Sequence, residues 1–153
     1  MKNFHFLFLL VPLVFTACLN GEIDVNNEPA AGVINGEQWN LASANGYLVP
    51  FELKYEFKLL GVSEPGSGGC SAPFPTGPHL SFTVPPRAGS FSIPLPILQE
   101  SVRIHENGST SAFATSGFLE IYGVDNSRVT GYIQAVLDDE NTVEGNFEVD
   151  LCN

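Results

Sequence analysis

Phe51-Glu52-Leu53-Lys54-Tyr55-Glu56-Phe57-Lys58-Leu59 alternates apolar and charged side chains without a break. A strand throws successive side chains to opposite faces, so this stretch has one face for a core and one for water. The same period returns near the end of the chain. Val143, Phe147, Val149 and Leu151 oppose Glu144, Asn146, Glu148 and Asp150, and Val129, Ile133, Ala135 and Leu137 oppose Thr130, Tyr132 and Gln134. No stretch carries a convincing helical period. Strands are expected at 31–34, 37–43, 46–60, 80–84, 90–95, 100–105, 116–122, 128–137 and 142–151, eight or nine depending on whether the last two are separate.

Turn chemistry falls between these segments. Asn35-Gly36 lies between Val33-Ile34 and Gln38-Trp39 and is a strong hairpin signal, because both residues tolerate positive φ. Asn107-Gly108, 123–127 and 138–141 punctuate the later chain in the same way. Gly131 and Gly145 sit inside strand patterns, which implies a bulge, a bend, or a large neighbour filling the space. Residues 61–79, rich in Gly and Pro, form the one long irregular segment. Short strands with regular turns predict an all-β fold, an antiparallel β-sandwich, with a small lipocalin-like β-barrel as the alternative. The sandwich is favoured because Pro85, Pro86, Pro94 and Pro96 interrupt strands in a way closed barrels tolerate poorly.

The chain has 153 residues, 17 acidic and 6 basic side chains and a formal net charge of −11. That length accommodates one compact domain. The charge argues against nucleic-acid binding, which needs clustered Lys and Arg, and against adsorption to anionic lipid headgroups.

Lys2 precedes an apolar run over 6–15 that is too short to cross a bilayer as a helix. With small residues after the run, this reads as an export signal at 1–17, excluded from the fold. Phe15-Thr16-Ala17-Cys18 resembles the lipobox of bacterial lipoproteins, with Phe15 where Leu is usual. The resemblance implies acylation of Cys18, cleavage just before it, and a membrane anchor. Residues 18–30 are polar and acidic, suited to a tether with a reach of roughly 40 Å. Leu19 follows the cysteine, so the usual inner-membrane retention signal is missing. The acidic residues Glu22 and Asp24 are loosely similar to surface-export signals of Bacteroidota lipoproteins. The expected location is the outer membrane, on the cell surface or on its periplasmic face. Residues 31–153 then form the folded domain. With Cys18 assigned to lipid, Cys70 and Cys152 remain, an even pair most simply read as a disulfide. Two free thiols or a metal site are the alternatives, and two cysteines without nearby histidines make a poor zinc site. The disulfide would close a long loop, for which chain entropy gives about 4.5 kcal/mol.

Gly32-Val33-Ile34-Asn35-Gly36 with Trp39 resembles the opening of many small Bacteroidota lipoproteins. Val129-Thr130-Gly131-Tyr132 and Asn141-Thr142-Val143-Glu144-Gly145-Asn146-Phe147 resemble their endings. The resemblance covers the two ends of the domain and implies an all-β class and an envelope location, with no activity attached.

Catalytic patterns are missing from the sequence. There is no Gly-x-Ser-x-Gly elbow, and His105-Glu106 has no second histidine at zincin spacing. His79 and His105 read as surface loop residues. Glu52, Glu56, Glu144, Glu148 and Asp150 alternate with core positions and so belong to solvated faces rather than to a glycosidase pair. The acidic turn at 138–141 lacks the spacing of a calcium loop. No metal, cofactor or enzymatic activity is expected. The candidate binding residues are aromatic: Trp39, Tyr122 and Tyr132, with Phe74 in the Gly/Pro loop and Tyr47 as a further surface aromatic. Together these features predict a non-catalytic binding module for a glycan or for an envelope or extracellular protein. An inhibitor of a basic enzyme such as lysozyme is the alternative, favoured by charge, and a polysaccharide hydrolase comes third.

Overall fold

The structure is a computed structural model that describes residues 27–49, 51, 54–61, 70, 75–94, 102–107 and 110–152. The expected leader at 1–17, residues 18–26 of the expected tether at 18–30, and Phe74 lie outside the described residues; the far end of that tether packs against the sheet instead, with Ala30 buried and bonded to Asn146 and Leu41. In chain order the strands are β1 (Ala31–Ile34), β2 (Glu37–Val49), β3 (Lys54–Gly61), β4 (His79–Val84), β5 (Gly89–Ile93), β6 (Arg103–His105), β7 (Ser111–Phe113), β8 (Ser116–Val124), β9 (Arg128–Asp138) and β10 (Asn141–Cys152). They join one sheet in the order β5-β8-β9-β10-β1-β2-β3-β4-β6-β7. Pairing is antiparallel throughout, except that the end of β10 runs parallel to β2 at Asp150–Cys152 against Asn45–Tyr47. The chain is all-β, as its alternation predicts, and the strands form one curled half-barrel. This lies between the expected sandwich and its barrel alternative: hydrogen bonding is continuous around the curve, yet β5 and β7 remain edges.

Curvature makes the core. Phe82 of β4 and Phe147 of β10 have β1, β2 and β3 between their strands, yet their rings meet edge-on at 5.7 Å. Phe57 of β3 completes the cluster, 5.5 Å from Phe82 and 6.4 Å from Phe147. Glycines make room for these rings. A Cβ on Gly46 would lie 2.5 Å from the Phe57 ring, and one on Gly131 would lie 2.6 Å from Phe147. Gly145, at φ +137°, passes against the backbone of Ala30. The two glycines singled out from the sequence thus mark a large neighbour in one case and a close backbone crossing in the other.

The hairpin signal at Asn35-Gly36 is real: both residues are left-handed, at φ 55° and 72°, as a type I′ turn demands. The expected strand over 46–60 divides. Val49 pairs with Lys54, so the chain reverses within the charged-apolar alternation, and Phe51 is fully exposed in the turn. Pro50 has no N–H to give a continuing ladder. The first part of that segment instead belongs to β2, which runs on from Glu37. Strand β7 pairs with β6 and was not expected, since three residues are too few to show a period. Cys70 and Cys152 form the disulfide, with Cα atoms 5.2 Å apart. The Tyr47 hydroxyl donates to the Cys70 carbonyl at 3.3 Å, so the end of β10 and the irregular segment are fastened together beside β2.

Candidate functional site

The outer face of β8, β9 and β10 carries two of the aromatic candidates. Leu119 and Ile121 point into the core, so their neighbours on β8 point outward. A bulge between Ile121 and Gly123 leaves Tyr122 as the extra residue, with Ile121 opposite Gly131 and Gly123 opposite Thr130. Tyr122 is 44 % exposed. Tyr132 lies on the same face but is covered: Phe118 stacks on it at 5.3 Å, and its hydroxyl donates to the Glu144 carboxylate. Burial, followed by that hydrogen bond and the nearby negative charge, holds the Tyr132 phenol above its usual pKa. Burial and Glu120 raise Tyr122 as well. Both phenols therefore stay neutral hydrogen-bonding groups at physiological pH.

Beside Tyr122 the sheet opens. One end of β10 pairs with β1 over Thr142–Glu144, and its other end pairs with β2 over Asp150–Cys152. Between these contacts, among the described residues, Phe147–Val149 of β10 share no ladder with β2. The bulge of β2 between Leu41 and Ser43 falls at the same level. The result is a cleft of about 400 Å³. Leu41, Ala44 and Phe147 supply an apolar floor, while Asn27, Ser43, Thr130, Asn146, Glu148 and the Tyr122 ring supply polar and aromatic walls. Glu148 is held by Arg128 at 2.9 Å, and Arg128 also reaches Asp150 at 3.6 Å. Asp125 accepts from the backbone N–H groups of Ser127 and Arg128, both at 2.7 Å, and so shapes the turn that delivers Arg128. Backbone donation from Ser127, then its hydroxyl, keeps the Asp125 carboxyl below the usual range. A concave site with an apolar floor and a few convergent polar groups is the usual form of a small-ligand site.

The remaining candidates lie elsewhere. Trp39 is a correction to the expected set. It is buried in the core, its indole N–H donates to the Pro78 carbonyl at 2.9 Å, and Gly61 packs on it. It holds the returning end of the irregular segment and offers no free ring face. Phe74 lies outside the described residues. His79 and His105 are not surface loop residues. They pair directly across β4 and β6, their rings stack at 4.0 Å, and His79 is 5 % exposed. The acidic turn uses its own oxygens: Asp138 accepts from the Glu140 N–H at 3.0 Å and the Asn141 amide at 2.9 Å.

Sequence reasoning found Tyr122 because it opposes a clear apolar set. It missed Leu41, Ser43, Asn146 and Glu148 as a group, because their meeting depends on where β10 leaves β2, which no local pattern encodes. Comparison of the chain with protein-family models, curated proteins and solved structures finds no match.

Proposed function

We propose that this chain is a lipid-anchored, non-catalytic binding module of a bacterial envelope, with a glycan held in the cleft beside Tyr122. The observation that carries this reading is an exposed tyrosine at the rim of a cleft walled by Asn27, Ser43, Thr130, Asn146 and Glu148. Sugar rings present C–H faces that stack on aromatic rings and a periphery of hydroxyls that pair with amides, hydroxyls and carboxylates. Cys18, preceded by Thr16-Ala17, supplies the anchor, and the acidic tether behind it holds the module away from the outer membrane. Affinity electrophoresis of the purified protein through gels containing soluble envelope and extracellular polysaccharides tests the reading. At least one polymer retards the protein, and Tyr122→Ala removes the retardation while the thermal midpoint stays within a few degrees. Unretarded migration through every polymer would retire the glycan. A net charge of −11 favours a second reading, capture of a basic enzyme such as lysozyme. Salt-sensitive inhibition of lysozyme would single it out.

A further inference from the structure

The outer face of β3, β4 and β6, on the other arm of the sheet, sets Lys58 and Arg103 on either side of a serine. Lys58 of β3 lies directly opposite Ser81 of β4, and Ser81 lies directly opposite Arg103 of β6. Side chains that oppose each other across an antiparallel pair sit about 5 Å apart at Cβ. The serine hydroxyl therefore stands in a row between two long cationic side chains, with the Arg103 guanidinium leaning away from it, toward Phe113 of β7. His105 is two pairs further along β6, on the same face, with Nε2 2.9 Å from Ser81 Oγ, and His79 stacks on its other side. Lys58 is largely covered, with 17 % of its side chain exposed, and Glu56 approaches it at 3.9 Å. Arg103 is exposed and lies over the half-exposed Phe113 ring at 4.6 Å. The charged and titratable groups of the patch are thus Lys58, Glu56, Arg103, His79 and His105, with Glu106 next along the chain.

We infer that this row is a binding site for an oxyanion, the carboxylate, sulfate or phosphate of a small acidic ligand, held by Lys58 and Arg103 with the Ser81 hydroxyl between them. Charge-assisted hydrogen bonds of this kind are stronger than neutral ones, and partial covering of Lys58 strengthens them further. The imidazole has a part in the geometry. When His105 Nε2–H donates to Ser81 Oγ, the hydroxyl hydrogen is left to point at the ligand, so a bound anion selects that tautomer. Burial first, then His79, Arg103 and Lys58, lower the His105 pKa to about 4, so the ring is neutral and able to choose between tautomers at pH 7. A hydroxyl bonded to an imidazole also describes an activated nucleophile. Here the imidazole is a weak base and Ser81 sits inside a paired strand, which fits holding a ligand rather than attacking one. The site is separate from the Tyr122 cleft and does not rest on the glycan reading.

The test is an NMR titration of the full folded chain with glucuronate, sodium sulfate and inorganic phosphate in turn, against sodium chloride at matched ionic strength. The proposal expects saturable shifts at Ser81, Arg103 and His105 with at least one oxyanion, movement of the His105 ring nitrogens toward the Nε2–H tautomer, and an upward shift of its pKa. Arg103→Gln, at an exposed position, weakens that binding about tenfold, and Lys58→Gln does likewise. Which probe saturates at the lowest concentration separates an acidic sugar from a free sulfate or phosphate. Shifts that merely match those from chloride would overturn the proposal. So would saturable binding that survives Arg103→Gln at unchanged strength.

Discussion

Adding one methyl group at Gly46 asks the core for space it does not have. The new Cβ would meet Phe57 Cδ1 at 2.5 Å and Val149 Cγ1 at 2.9 Å, and Phe57 is locked between two other rings. Overpacking of this kind costs about 1–3 kcal/mol, so Gly46→Ala lowers the urea midpoint with an unchanged slope. His105 sets a second expectation at this scale. Burial first, then the charges of His79, Arg103 and Lys58, lower its pKa from the 6.5 of a free imidazole to about 4. Between those two values the unfolded chain binds a proton that the fold does not, so acid favours unfolding. The contribution is complete above pH 6.5 and is lost as pH falls toward 4. Thermal midpoints of the wild type should therefore fall more steeply across that window than those of His105→Gln; parallel curves would contradict the assignment. Neither the burial of His79 nor the partial covering of His105 was legible in the sequence, because both follow from the cross-strand pairing of His79 with His105, residues far apart in the chain.

Strand and turn boundaries show in the sequence only where the residue chemistry changes at them. Where turn residues differ in chemistry from strand residues, as at Asn35-Gly36, the boundary shows. Where the sequence alternation runs on through the reversal, as it does between Val49 and Lys54, one strand is read in place of two. A proline just before it was the available clue. Two turns also support each other: Asn141 Oδ1 accepts from the Asn35 N–H at 2.9 Å, and the Gly36 N–H donates to the Glu140 carbonyl at 3.1 Å. Asn141 is buried, so Asn141→Ala strands a donor in the β1–β2 turn and removes the amide bond to Asp138. A loss of about 1–3 kcal/mol is expected, with faster hydrogen exchange at Asn35 and Gly36 as its local signature. The same element-scale view explains Tyr122: the alternation of β8 pointed it outward, whereas the cleft beside it needed the parting of β10 from β2.

Across the whole molecule, the curled sheet is drawn together in its middle by β10, which pairs with β9, β1 and β2, and whose last strand residue is Cys152. The disulfide to Cys70 spans a sequence separation of 82 residues and ties the irregular segment to that central strand. Replacing both cysteines by serine should cost about 2–5 kcal/mol, seen as a lower thermal midpoint that no longer responds to reductant. All-β class, acidic surface and cysteine pairing were legible because each depends on composition or local period; the half-barrel and its cleft depend on long-range register. The proposed role rests on that cleft, so the most direct measurement is chemical-shift mapping with the saccharide that retards the protein most. Saturating ligand should perturb Tyr122, Thr130, Asn146 and Glu148 together and leave Trp39 unmoved. Perturbations confined to other surfaces, with those four residues unchanged, would contradict the account.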